Sequence, residues 1–210
     1  MATLFSYCIP VDDGAAPNPF WGTCTLVICK PAIRRVAEVG DWIAGTGSVN
    51  SPIGNIAGHV VYAMQVTDKM KMRDYDRFCA ASLPQKIPIW RSKDVRLRLG
   101  DAIYDYSTDP PGQREGVHGP LNRDRDLGGR FALISRHFYY FGDHPVLMPR
   151  RLLPIVKQGS GHRSKANAPY FQSFLTWLLG LGLEPGMLYG APQRRLFRGH
   201  ILIGNTAEPC

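Results

Sequence analysis

The residues best able to do chemistry in this chain are six histidines and five cysteines. The histidines are His59, His118, His137, His144, His162 and His200. The cysteines are Cys8, Cys24, Cys29, Cys79 and Cys210. None of the histidines stands in an H-x-x-x-H or H-E-x-x-H pattern, and no two cysteines form C-x-x-C. The spacing therefore predicts no metal site, and no cofactor is expected. An odd cysteine count without a framework fits reduced, intracellular thiols. Cys24 and Cys29 bracket an apolar run and read as core packing. Gly45-Thr46-Gly47-Ser48 lacks the G-K-[ST] of a phosphate loop, and no G-x-S-x-G elbow is present. The glycines read as a turn that ends a strand, where bare backbone can still approach a ligand.

The other chemical signal is the alternation of rings and cations. Phe20, Trp21, Trp42, Trp90 and the run Phe138 to Phe141 are interleaved with Lys30, Arg34, Arg35, Arg136, Arg150 and Arg151. The formal net charge is +8 and the sequence pI about 9.4. Such a surplus attracts polyanions, and ring faces stack on bases while cations hold phosphates. The expected ligand site lies beside Gly40 to Ser48. There Phe20, Trp21, Trp42, Tyr62 and Tyr139 are candidate ring faces. Asn18, Asp41, Thr46 and Ser48 would read the polar edge of a base, and Gly45 and Gly47 would admit its approach. Lys30, Arg34, His162 and Arg163 would hold flanking phosphates, the last two on a Gly-Ser-Gly loop beside the cleft. If the chain is instead an enzyme, His118, Asn122, Asp126 and His162 are its candidate catalytic residues, because they fall in predicted loops.

The elements that must position these residues follow from pattern. The chain has 210 residues, 44% of them hydrophobic, which suits a single globular domain. Its longest apolar stretch, near Phe174 to Leu183, is shorter than a membrane span. The first residues carry no basic, apolar leader, so a cytoplasmic protein with no membrane partner is expected. Strands are predicted over 4–11, 23–29 and 59–66, and extended segments over 95–99 and 102–106. Met72, Tyr75, Phe78 and Cys79 have helical spacing, and a second helix is predicted over 170–180. Residues 107–130 read as an irregular connection and 131–141 as one alternating strand. Its alternation sets Leu133, Ser135, His137 and Tyr139 against Ile134, Arg136, Phe138 and Tyr140.

The order of short motifs adds a resemblance. Tyr7, Ala16-Pro17-Asn18-Pro19-Phe20-Trp21-Gly22, Cys29-Lys30-Pro31, Ile33-Arg34, Val39-Gly40-Asp41-Trp42-Ile43, Gly45 to Ser48 and Val61 to Met64 resemble the nucleotide-modification-associated domain, type 2. His118, Asn122, Leu133-Ile134-Ser135, Phe138 to Gly142 and Gly161-His162 continue the likeness. The first half more distantly resembles PUA-like domains of the EVE and ASCH group. These resemblances imply an α+β protein with a PUA-like mixed β-barrel core at about 1–106. Helices would pack outside, and a family-specific extension would fill about 107–210. The implied function is recognition of a modified base in DNA or RNA. The alternatives are an enzyme that modifies a base or nucleotide, and a protein-interaction module.

Overall fold

The structure is a computed structural model that describes residues 2–194. The first half sets out β1 (Leu4–Ile9), β2 (Cys24–Leu26), α1 (Pro31–Val36), β3 (Trp42–Gly47), β4 (His59–Gln65), β5 (Asp68–Lys71) and α2 (Met72–Ser82). Then come α3 (Val95–Arg98), β6 (Tyr104–Asp105), β7 (Gly112–Gln113), α4 (Arg123–Leu127), β8 (Phe131–Ser135), β9 (His137–Tyr140) and β10 (Val146–Leu147). The described chain finishes with α5 (Phe171–Leu179) and β11 (Met187–Leu188).

Two sheets carry the fold. The larger has the order β1-β3-β4-β9-β11, with β10 also paired to β4; the smaller has the order β2-β8-β5. β1 runs parallel to β3, and β4 runs antiparallel to both β3 and β9. Phe5, Tyr7, Ile43, Met64, Phe138 and Tyr140 from the larger sheet meet Cys24, Leu26 and Leu133 from the smaller. On the far side of the larger sheet, Trp42, Val60 and Tyr139 pack against Phe174 and Leu178 of α5. On the far side of the smaller sheet, Ala132 and Ile134 pack against Met72, Tyr75 and Cys79 of α2. The order of layers is therefore helix, sheet, sheet, helix. Strands covered on both faces read as continuous apolar runs, which is why β1, β3 and β4 are almost wholly buried.

This is a mixed α+β architecture, as expected, but among the described residues no sheet closes into a barrel. In place of the expected PUA-like barrel there are two separate open sheets, and the strand predicted over 131–141 is two strands divided between them. β8 pairs with β2 and β5, whereas β9 pairs with β4. At the change of sheet the Ser135 hydroxyl donates to the His137 carbonyl at 2.8 Å and accepts the His137 N–H at 3.1 Å. The kink reverses the alternation, so Leu133 shares a core with Phe138 and Tyr140 rather than opposing them. The strands of residues 107–194 take part in both sheets, β8 in the smaller and β9, β10 and β11 in the larger.

Two further segments depart from expectation for local reasons. Residues 95–99 are mostly helical, because Asp94 caps the turn by accepting the Arg96 N–H at 2.9 Å. The Gly45 to Ser48 segment does not end its strand: β3 runs through Gly47, with a register shift against β4 at Gly45 and Thr46. Its small residues make room for neighbours. A Cβ on Gly45 would lie 2.4 Å from Ile9 Cδ1 and 2.5 Å from Tyr62 Cε1. Gly45→Ala should therefore overpack the core and lower the unfolding free energy by about 1–3 kcal/mol, read by urea denaturation.

Candidate functional site

The chain leaves β2 at Leu26 and must turn sharply to enter α1. Cys29 and Lys30 take this turn with φ of 58° and 42°, both left-handed. Two successive non-glycine residues in that region cost about 1–3 kcal/mol each, strain that persists only where surroundings enforce it. Pro31 then opens α1, where its lack of an N–H does no harm. The enforcing groups are Asp126 and Arg34. Cys29 donates its backbone N–H to Asp126 Oδ1 at 2.8 Å, and its carbonyl accepts from Arg34 Nη1 at 3.1 Å.

Asp126, on α4, is fully buried. Its second oxygen, Oδ2, accepts from the Tyr104 hydroxyl at 3.0 Å and lies 2.6 Å from His118 Nδ1. Gln113 holds the His118 carbonyl at 2.8 Å, which anchors the turn that presents the ring. The far ring nitrogen, His118 Nε2, lies 3.5 Å from Cys29 Sγ. Sulfur, imidazole and carboxylate thus stand in line at the strained turn. An aspartate on Nδ1 fixes the tautomer that leaves Nε2 able to take a proton. One donor atom from each of the three residues lies within 4.8 Å of the others, which is also a possible ligand set for a divalent ion. The 2.6 Å contact commits His118 Nδ1 to Asp126, so the carboxylate serves as an orienting partner.

Charged groups surround this line. Asp13 is half-buried, and burial holds its carboxyl above the ordinary range, opposed by the Ala15 N–H and the field of His118. Lys30 lies with Nζ 4.8 Å from the centre of the Tyr7 ring, and burial pulls its pKa down to about 8. Arg34 is wholly buried and is lowered to about 10 by desolvation, against the attraction of Asp126. Gly129 leaves the space for its guanidinium: a Cβ there would lie 2.3 Å from Arg34 Cζ. Arg34 is thus a structural cation rather than the expected phosphate ligand. Cys29 is 4% exposed and disulfide-bonded in the structure, whereas Cys8, Cys24 and Cys79 are free. The expectation of uniformly reduced thiols does not hold at Cys29, and thiol chemistry there requires reduction.

The structure separates the other residues singled out by sequence. Asn18 is buried between Lys86 Nζ, 2.7 Å from its Oδ1, and the Leu99 carbonyl, 2.8 Å from its Nδ2. Asp41 accepts the N–H groups of Thr3 and Glu38, Thr46 donates to the Tyr7 carbonyl, and Ser48 accepts the Asn50 N–H. Phe20, Trp42, Tyr62 and Tyr139 are core side chains. Gly47, like Gly45, is pressed by a neighbour, with the Ile56 carbonyl 2.4 Å from where its Cβ would be. Trp21 stands apart, half-buried under the Arg96 guanidinium at 4.7 Å. The expected base-reading residues therefore spend their polar groups and faces on the protein itself. His118 and Asp126 do converge. Asn122 is buried just before α4, with no hydrogen bond to its Oδ1 among the described residues. His162 lies elsewhere, its ring 5.7 Å from that of Phe5. Sequence reasoning missed Cys29 because residues 89 apart form no motif. The available sign was a cysteine between a strand and a helix-opening proline.

A family model described as nucleotide modification associated domain 2 matches residues 1–198. The chain belongs to this family. No curated protein and no solved structure matches it. For this nucleotide modification associated domain 2 protein, the family description points to a role in nucleotide modification and assigns no residue a part in it. No helix among the described residues is long and apolar enough to cross a membrane.

The loop that carries Asp13 also holds a titrating group. Asp12 is buried and accepts from the Tyr140 hydroxyl at 2.6 Å. Burial raises its pKa from an ordinary 3.8 to about 7, with the Tyr140 hydrogen bond opposing. A carboxyl raised in the folded state contributes stability fully present below pH 3.8 and lost as pH rises through about 7. Asp12→Asn keeps a neutral acceptor for Tyr140. It should flatten the fall in unfolding free energy across that window, measured by urea denaturation at successive pH values.

Proposed function

We propose that this protein is an enzyme that modifies a nucleotide or its base, with Cys29, His118 and Asp126 as the reacting line. The observation that carries the reading is the sequence of contacts from sulfur to Nε2 at 3.5 Å and from Nδ1 to a buried carboxylate at 2.6 Å. It coincides with left-handed backbone at the cysteine. A weak nucleophile is activated by an adjacent base that a third group orients, and this is that arrangement. Membership of a nucleotide-modification family supplies the substrate class.

In the reduced protein, His118 Nε2 takes the Cys29 thiol proton and the sulfur pair forms a bond to an electrophilic carbon. That carbon is a carbonyl or an unsaturated ring position of a base. The displaced π pair moves to the adjoining atom, which takes the proton back from His118. Asp126 holds the imidazole and stabilises its charged form between these steps. Water then displaces an exocyclic amino group of the saturated ring as ammonia, His118 removes the proton it gave to the adjoining atom, and the carbon–sulfur bond breaks to release the altered base and a thiolate that takes that proton back.

The experiment measures alkylation of the reduced protein by iodoacetamide across pH, with each cysteine followed by mass spectrometry. Cys29 should label faster than half-buried Cys8. His118→Gln and Asp126→Asn should slow that labelling, the first by on the order of 100-fold, the low end for loss of a positioned base. Labelling of Cys29 at the rate of Cys8, or an unchanged rate in His118→Gln, would overturn the reading.

A further inference from the structure

An open cavity of about 720 Å³ is lined by Val156, Lys157, His162, Arg163, Ser164 and Lys165 among others. Among the described residues no aspartate or glutamate lines it. The sequence around it is one-sided: residues 144–183 contain Arg150, Arg151, Lys157, Arg163 and Lys165 and no acidic residue. Three of these, Lys157, Arg163 and Lys165, line the cavity, which is therefore basic.

Its wall is held in place. The Arg163 N–H and carbonyl pair with Ser6 at 2.8 and 2.9 Å, which extends the free edge of β1. Asn167, fully buried, donates to the Leu4 carbonyl at 3.0 Å and to Ser6 Oγ at 2.9 Å. His162 and Arg163, expected on a Gly-Ser-Gly loop beside the ligand cleft, line this cavity instead, with the Arg163 backbone tied to a strand. Arg163 Nε is buried with no hydrogen bond among the described residues, so a donor at the cavity is left unanswered. Such a donor costs free energy that an anion can offset.

The cavity and the catalytic line share one strand. Phe5 and Tyr7 both point into the core between the sheets. His162 packs on Phe5, and Lys30, next to Cys29, packs on Tyr7. Alternate residues of a strand are about 7 Å apart, so the cavity edge and Lys30 are neighbouring stations on β1. Lys30 in turn feels Arg125 on α4.

We propose that this cavity binds backbone phosphates of a single-stranded polynucleotide, whose next nucleotide reaches Cys29 and His118. The inference rests on the nucleotide-modifying reading and narrows its substrate from a free nucleotide to a polymer. A single strand is required because a base must be unstacked before its ring atoms can be attacked. A free nucleotide would engage the catalytic line without needing a second, remote set of cations.

The test compares binding of a single-stranded oligonucleotide of about 12 nucleotides, a nucleoside monophosphate and inorganic phosphate, each over a range of salt. The double variant Lys157→Gln, Lys165→Gln should weaken oligonucleotide binding on the order of tenfold. It should also flatten the slope of log K against log salt by about 1.4, or about 0.7 for each lost phosphate contact on a single strand. Arg163→Gln should act in the same direction, and an unchanged melting temperature shows that either variant is folded. Oligonucleotide affinity and salt slope equal to those of the unaltered protein in the folded double variant would overturn the proposal. So would displacement of the oligonucleotide by the monophosphate or by phosphate at equal phosphate concentration, the mark of a single-phosphate site. His118→Gln separates the two readings: it should retain the full salt-dependent binding while losing fast alkylation of Cys29.

Discussion

The buried carboxylate of Asp126 is where four distant stretches of chain meet. Its two oxygens engage the Cys29 N–H, the Tyr104 hydroxyl and the His118 ring, all within 3.0 Å. A charge removed from water is tolerable only when its lone pairs are occupied, and these three groups occupy them. Arg34 supplies the compensating charge from the other side of the Cys29 turn, bonded to the Phe131 carbonyl at 2.8 Å. The strained backbone at Cys29 and Lys30 is a product of this clamp. Remove the carboxylate and only Arg34, on the Cys29 carbonyl, is left to hold that backbone left-handed.

The same logic recurs deeper in the protein. The Lys86 ammonium is enclosed by the Asn18 carbonyl and side-chain oxygen, the Thr23 carbonyl and the Thr25 hydroxyl, all within 3.1 Å. Thr25 passes the connection to Asp101 at 2.5 Å, and Tyr75 binds the other Asp101 oxygen at 2.7 Å. Burial pulls the lysine pKa down and pushes the aspartate pKa up, so each group depends on the other's charge. This network fixes the Asn18 to Trp21 loop. It explains why an aromatic loop that resembles a ligand wall by composition is instead a packed structural corner.

Periodicity made β1, β4, α2 and α5 legible in the sequence, because each has one dominant pattern over its length. It failed at Arg136, where a single residue moves the chain between sheets without breaking the run of β-forming side chains. It failed at Val95 to Leu99 because four residues with an aspartate cap are too short to show a helical period. Of the site, His118 and Asp126 were legible as polar residues in a loop, and His118 also by resemblance. Cys29 was not, since a small buried thiol beside apolar residues looks like core until the fold brings an imidazole to it. The residues chosen to read a base were selected for type alone, and type does not reveal that Thr46 and Asp41 already have backbone partners.

The passage of the chain from one sheet to the other at Arg136 governs how the molecule can be divided. β8 lies between β2 and β5, and β9 extends β4, so every first-half strand bordering them would present a bare edge if residues after 106 were removed. Cys29 would lose Asp126 and His118 in the same cut. An excised N-terminal half is therefore not a smaller version of this protein but a fragment with one open sheet and two strands, β2 and β5, stripped of their partner, prone to pair with copies of itself. The halves are inseparable in construction, and any natural or engineered rearrangement of this chain must keep both together or supply the missing strands from another copy.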